Sequence, residues 1–266
     1  MTPDQIIAAA DMLFKAEKSR QQCALLSLAY PDITLDDAYA VQAALVALKQ
    51  DAGAKRIGWK IGLTSRAMQQ ALNITTPDSG VLLDDMLFQT GDTVPEGRFI
   101  QPRIEAEIAF VMKTDLAGAG VTRADVIAAT DYVVPSLEIL DTRVMRADPA
   151  TGKARAIYDT VADNAANAGI VLGAEGQLID THDLRWVGAV VKRDGVVEET
   201  GLGAGVLNDP IMGIVWLVQR LATYNMGVSA GEVVLSGSFI RPIEAPSGSV
   251  FEADFGAFGR VDLTFG

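Results

Sequence analysis

A chain of 266 residues, 49% hydrophobic and 21% charged, has the composition of a globular protein that buries a substantial core. Its net charge of -12 argues against nucleic-acid binding, which needs clustered Lys and Arg, and no apolar window is long enough to suggest a membrane span. A single cysteine, Cys23, rules out an internal disulfide, and MTPDQIIAAADMLFKAEKSR lacks the basic-then-apolar pattern of an export signal, so a cytoplasmic setting is expected.

In chain order, Thr2 is placed to cap a first helix, with Pro3 at its first position and Gln5 where a capping box needs its reciprocal acceptor. A second helix begins at about Thr34, with Asp36 and Asp37 in its first turn. An apolar stripe of Ala38, Val41, Leu45 and Leu48 follows, and Gly53 closes it. From Arg56 the pattern changes: RIGWKIGLTS reads as a strand running into a turn, and SRAMQQALN as a short helix. Strand-like runs then recur in GVLLDDMLF, AEIAFVMK, DYVVPSLEIL, AGIVLG, LRWVGAVVKRDG and EVVLSGSF, with a hairpin expected at Asp194-Gly195. One further helix, IMGIVWLVQRLATY, starts at Pro210 after Asn208 or Asp209 as cap, and the glycines of GLGAGVLNDP read as a flexible loop before it. The expected architecture is α+β: a helical N-terminal portion, residues 1–75, on a β-rich catalytic body, residues 76–266.

The most informative segment is QPRIEAEIAFVM. Alternate residues of a strand share a face, so Glu105 and Glu107 point one way while Ile104, Ala106, Ile108 and Phe110 point the other. Ala109 and Val111 continue the acidic face, which is therefore not an ordinary wet one. Two carboxylates so placed repel unless a cation neutralises them, and hard oxygen ligands suit Mg2+ or Mn2+; an exposed strand face is the alternative. Glu138 sits in the apolar run VVPSLEIL and needs a partner, either the same cation or an arginine such as Arg143 or Arg103.

The single histidine, His182, lies in a polar turn. A Ser-His-Asp triad and a His-rich zinc site are thereby excluded, and a Cys-His nucleophile at Cys23 is disfavoured. Lys60, between Trp59 and Ile61, must find a carboxylate, as a structural ion pair or as an active-site group. Asp78, in TPDSG, is explained equally by a turn. GLGAG lacks the strand-and-helix setting of a dinucleotide loop, so NAD binding has no support.

Over essentially its whole length the chain resembles the hydratase and decarboxylase branch of the fumarylacetoacetate hydrolase superfamily. The resemblance is carried by ITLDDAYAVQ, GWKIGLTS, TPDSGVLLDDM, IQPRIEAEIAFV, ATDYVVPSLEILDTR, DTVADNAANAG, EETGLGAGVLNDP and SGSFIRP. It implies a fumarylacetoacetase-like body, a mixed β-sandwich or roll, and a Mg2+ or Mn2+ site of Glu105, Glu107 and Glu138. It also implies a small 2-oxo acid as substrate and homo-oligomeric rings, pentameric or decameric. Lys60 and Asp78 match the catalytic block positions, as electrostatic stabiliser and proton-transfer group. Ser236 and Gly237 would offer a hydroxyl and a backbone N–H to the substrate carboxylate. Arg241, in SGSFIRP, resembles the dicarboxylate hydratases and would grip a distal carboxylate, a surface arginine being the alternative. Ala166 stands where some relatives carry serine, so any role of that hydroxyl does not transfer. The implied activity is addition of water to a 2-oxo-alkenoate or 2-hydroxy-dienoate. A 2-oxo-dioate decarboxylase, a carbon–carbon hydrolase and a noncatalytic partner subunit are the alternatives.

Overall fold

The computed structural model describes residues 1–71 and 74–266. Three helices open the chain: α1 (Pro3–Ser19), α2 (Leu26–Ala29) and α3 (Leu35–Asp51). The expected caps form. Thr2 and Gln5 make a capping box on α1, Thr34 pairs with Asp37 on α3, and Gly53 past the end of α3 takes a positive φ of 107°. These helices share a core of Leu13, Leu26, Val41 and Leu45 with Val144 and Val161.

The body is built on an eight-stranded sheet of β1 (Arg56–Gly62), β2 (Asp78–Leu83), β3 (Leu87–Gln89), β5 (Arg103–Met112), β7 (Thr130–Leu140), β8 (Asn167–Leu172), β12 (Val233–Leu235) and β13 (Ile243–Glu244). Its order is β2-β1-β12-β5-β7-β8-β3, with β13 beside β5. A second sheet contains β4 (Thr93–Val94), β9 (Gly188–Arg193), β10 (Val196–Leu202), β14 (Val250–Asp254) and β15 (Arg260–Phe265), and a short ladder joins β6 (Leu116–Ala117) to β11 (Gly227–Val228). Short helices α4 (Arg66–Ala71), α5 (Arg123–Ala129) and α6 (Ile157–Ala162) lie in the connections, and α7 (Pro210–Ala222) is the longest helix of the body. The helix read in SRAMQQALN is α4; Leu72 and Asn73 fall outside the described residues.

The period-2 alternation of the strands decides where the site can lie. One face of the large sheet presents Trp59, Ile61, Val81, Ile104, Ile108, Phe110, Leu137 and Val171 to Val191, Phe251 and Leu263 of the second sheet and to Ile214 and Leu217 of α7. The opposite face carries a smaller apolar cluster, Leu82, Ala109, Val134, Ile170 and Leu235. By alternation, Lys60, Asp78, Glu105, Glu107 and Glu138 share this second face.

Two local readings are corrected. Asp78 is not in a turn: it opens β2, opposite Gly62 of β1, and is buried. Gly201 and Gly203 serve close packing rather than a flexible loop, since a Cβ would sit 1.8 Å from the Phe239 carbonyl oxygen on the first and 2.1 Å from the Leu184 carbonyl oxygen on the second. The Asp194-Gly195 hairpin forms between β9 and β10, with φ of 54° and 79°. No helix among the described residues is long and apolar enough to cross a membrane.

Candidate metal centre and active site

β5 and β7 are antiparallel neighbours in a register that sets Glu105 opposite Glu138 and Glu107 opposite Ser136. One oxygen from each of Glu105, Glu107 and Glu138 lies within 4.8 Å of the others. Glu107 and Glu138 are fully buried. Their partners are few: the Gly237 amide donates to Glu107 Oε2 at 2.7 Å, and Asn167 Nδ2 donates to Glu138 Oε1 at 2.8 Å. Glu107 Oε1 and Glu138 Oε2 are buried and have no hydrogen-bond partner among the described residues. Buried carboxylate oxygens without donors are costly, and three converging acids more so, unless a cation takes them up. The trio fits a hard divalent ion on the chemistry of its donors. Burial first, and then the charge of Glu138, pushes Glu105 up to about 8; the same two causes hold Glu107 well above the usual carboxylate range.

Lys60 is brought to the same face by β1. Its ammonium lies 3.3 Å from Glu138 Oε1 and donates to the Ala165 carbonyl at 3.1 Å. Burial alone would pull this lysine down, but the charges of Glu138 and Asp78 outweigh it and hold the pKa above its ordinary value. Asp78 is buried at the start of the neighbouring strand, with no hydrogen-bond partner for Oδ1 among the described residues, and burial raises its pKa. Gly62 makes the approach possible: a Cβ there would sit 2.3 Å from Asp78 Oδ1 and 3.1 Å from Lys60 Nζ. Helix α3 braces this edge, as Tyr39 Oη accepts from the Ser79 amide and Gln42 donates to the Ser79 carbonyl.

The segment Asn164–Ala166 closes the site from above Lys60. All three residues have positive φ, 51°, 51° and 60°, an arrangement that Asn164 fixes by bonding both backbone groups of Val81. A cavity of about 700 Å³ opens beside these groups, lined by Lys60, Asp78, Glu105, Arg103, Arg155 and Arg241 among others. A larger hollow around His182 and Trp186 shares Phe239 with it but contains none of the acids.

Other expectations are redirected. Glu138 pairs with Lys60 and Asn167, not with Arg143 or Arg103; Arg143 is fully buried on Asp163 at 2.5 Å. The Gly237 amide is taken by Glu107, so it orients an acid of the trio rather than greeting substrate. Ser236 is fully buried, its Oγ has no partner among the described residues, and it is not among the residues lining the cavity. Arg241 reaches the cavity lip but is 77% exposed and paired with Glu199 at 2.5 Å. Nothing in the local residue pattern marks Asn167, the Ala165 carbonyl or Arg155 as site groups, although the first two lie in the DNAANAG block that carries the family resemblance. Burial pushes the Cys23 thiol up to about 12, which disfavours its thiolate.

No family model matches the chain. It is 49% identical over 256 residues to 2-oxo-hept-4-ene-1,7-dioate hydratase of Escherichia coli, covering 96% of each. It superposes with a TM-score of 0.93 on 4-oxalocrotonate decarboxylase from Pseudomonas putida G7, solved with magnesium and adipate, at 32% identity, covering 100% of this chain and 98% of that one. Fumarylpyruvate hydrolase from Pseudomonas aeruginosa shares the fold alone: TM-score 0.58 and 11% identity, covering 79% of this chain and 89% of that one. Identity of this order across nearly the full length of both chains is inherited, and the chain belongs to the hydratase and decarboxylase branch of the fumarylacetoacetate hydrolase superfamily.

Proposed function

We propose that this enzyme is a divalent-metal-dependent hydro-lyase that adds water to 2-oxohept-4-ene-1,7-dioate, entering from its 2-hydroxy-dienoate tautomer. The observation that carries the reading is the convergence of Glu105, Glu107 and Glu138 on one sheet face beside Lys60 and Asp78, whose buried Oδ1 has no partner among the described residues. The high identity to a hydratase named for that substrate supports the choice.

The three glutamates would hold Mg2+ or Mn2+, which supplies positive charge against the carboxylate and 2-oxo end of the substrate and so favours the enolate. Lys60, held by the Ala165 carbonyl and by the charge of Glu138, lines the cavity and would stabilise negative charge on the substrate's C2 oxygen. Asp78, its pKa raised by burial, moves protons: the 2-hydroxyl proton leaves, C5 gains one, and the double bond becomes conjugated to the ketone. Water then adds its hydroxyl at C4 and a proton at C3, with Asp78 again the proton carrier.

A metal-dependent 2-oxo-dioate decarboxylase is the second reading, favoured by the 0.93 TM-score to such an enzyme. It needs the same enolate and the same residues. On the leading reading the enzyme acts in aromatic catabolism, in the homoprotocatechuate meta-cleavage pathway, in the cytoplasm, as a pentameric or decameric homo-oligomer. In this reading residues 1–75 are the N-terminal portion, whose β1 joins the body's large sheet and contributes Lys60, and residues 76–266 are the catalytic portion. Incubation with 2-oxohept-4-ene-1,7-dioate and Mg2+, followed by mass analysis, is the deciding experiment. Gain of one water that vanishes with EDTA and in Glu107→Gln is expected. Loss of carbon dioxide instead would install the decarboxylase, and metal-independent turnover would overturn both.

A further inference from the structure

The cavity beside the acids is lined by three arginines, Arg103, Arg155 and Arg241, and their commitments differ. Arg241 stands largely in solvent and is already paired with Glu199. Arg155 is partly buried. Its Nη1 is inaccessible to solvent and has no acceptor among the described residues, and Arg103 Nε is in the same condition.

The acids that could have served Arg155 are engaged elsewhere. Asp163 holds Arg143 through both the guanidinium and the backbone amide, and Asp159 accepts from Ser27 and from the Ala156 amide. Arg146, a third positive charge in the neighbourhood, is matched by a two-pronged pair with Glu244 at 2.6 and 3.1 Å. Arg103 and Arg155 are therefore left as two guanidinium groups lining the cavity, each with a buried N–H and no acceptor for it among the described residues. The backbone at Arg155 is fixed: its amide donates to the Arg146 carbonyl at 2.9 Å, and Ala147 and Ala154 bridge just before it. The guanidiniums are thus presented from a strand on one side, β5, and a braced loop on the other.

Unmatched, partly desolvated guanidiniums are costly in an empty cavity, and a planar carboxylate that accepts two parallel N–H bonds relieves them. The 2-oxo-acid end of the substrate belongs to the acidic, cation-binding side. Arg103 stands beside it, two residues before Glu105 on the same strand face, and Arg155 neighbours Arg103, so a substrate extending along this lining from the acids would bring its far end to Arg155. We infer that Arg155, assisted by Arg103, binds the distal carboxylate of a dicarboxylic 2-oxo acid and sets the preference for a dioate, in place of Arg241; the inference rests on the 2-oxo-acid reading of the site.

Binding rather than turnover tests it. The Mg2+-loaded protein is titrated calorimetrically with 2-oxoheptanedioate, a saturated dioate that cannot be hydrated, and with 2-oxopentanoate. Wild type is expected to favour the dioate by about tenfold or more, the scale of one well-formed charged pair. Arg155→Gln should bring that ratio close to one by weakening the dioate alone, and Arg155→Lys should restore part of it. Because the ratio is taken within one protein preparation, loss of folded material in a variant cancels. A wild type without preference, or an Arg155→Gln variant that keeps it, overturns the assignment, as does loss of the preference in Arg241→Gln but not in Arg155→Gln. A protein that shows the preference yet adds no water to the alkene would sink the hydratase reading and leave the arginine assignment standing.

Discussion

Glu105 and Glu138 face each other directly across the β5–β7 pair, two acids at the cross-strand position where like charges destabilise a sheet. Glu107 joins them one alternation further along β5, and the single lysine contact among the described residues, Lys60 to Glu138 at 3.3 Å, leaves the cluster with excess negative charge. A divalent cation removes the conflict. The metal-free protein should therefore gain stability on adding Mg2+, by about 2.7 kcal/mol at a concentration 100-fold above its dissociation constant. Glu107→Gln should lower Mg2+ affinity by at least the roughly 10–100-fold that losing even an outer partner costs, and should cancel most of that gain. Thermal melts with EDTA and with Mg2+ measure both. Equal Mg2+ stabilisation of wild type and variant would show that Glu107 is not a ligand.

The same cluster dictates how the metal-free protein responds to pH. Burial, then the charge of Glu138, lifts Glu105 from its ordinary 4.5 to about 8, and burial raises Glu107 in the same direction. Between those values the folded chain keeps a proton that the unfolded chain has released. The stabilising contribution is thus complete below about pH 4.5 and is lost as pH climbs through about 8. In EDTA the melting temperature should fall across this window, and saturating Mg2+, which holds the carboxylates ionised, should flatten the fall and release protons on binding. A metal-free melting temperature that rises with pH over the same range would contradict the burial of these acids.

Much of this arrangement is legible in the residues because strand alternation is a local rule. Glu105 and Glu107 sit two apart in an apolar run, so their shared face follows without knowing the fold, and the Asp194-Gly195 hairpin and the caps at Thr2 and Thr34 are equally local. What is not legible depends on pairings distant in sequence. Glu138 finds Lys60 across 78 positions, and nothing in VVPSLEIL distinguishes that partner from Arg143, which instead balances Asp163. Asp78 reads as a turn residue because Pro77 and Gly80 flank it, yet β1 captures it into the sheet. Arg155 stands in GKARA, an ordinary polar loop by composition, and only the braced backbone of 146–155 brings it to the cavity. The left-handed run Asn164–Ala166 contains no glycine to announce it.

Gly62 is a sharp test of the Lys60–Asp78 arrangement because it separates catalysis from metal binding. A methyl group there would press on Asp78 Oδ1 at 2.3 Å and on Lys60 Nζ at 3.1 Å, and neither group can retreat from a buried wall without moving. Gly62→Ala should lower kcat by about 100-fold, the cost of displacing a reacting group by around an ångström, while Mg2+ affinity stays at the wild-type level. Steady-state kinetics beside a Mg2+ titration check it. Full activity in Gly62→Ala would mean that the groups it crowds have no part in the chemistry.

Lys60→Met asks whether the lysine is structural or catalytic, a choice its setting between Trp59 and Ile61 leaves open. In the metal-free protein it is the one cation paired with the fully buried Glu138 among the described residues, and removing one partner of a buried pair costs about 3–5 kcal/mol. Methionine preserves the length of the stem and its packing, so the loss is electrostatic. Saturating Mg2+ supplies a substitute charge to Glu138, and the melting temperature of Lys60→Met should recover in large part when it is added. Activity should not recover with it, because Lys60 is the only lysine lining the cavity among the described residues. If turnover returned together with the melting temperature, Lys60 would be an ion-pair partner only. Persistent inactivity in a refolded, Mg2+-loaded variant assigns it to the reaction.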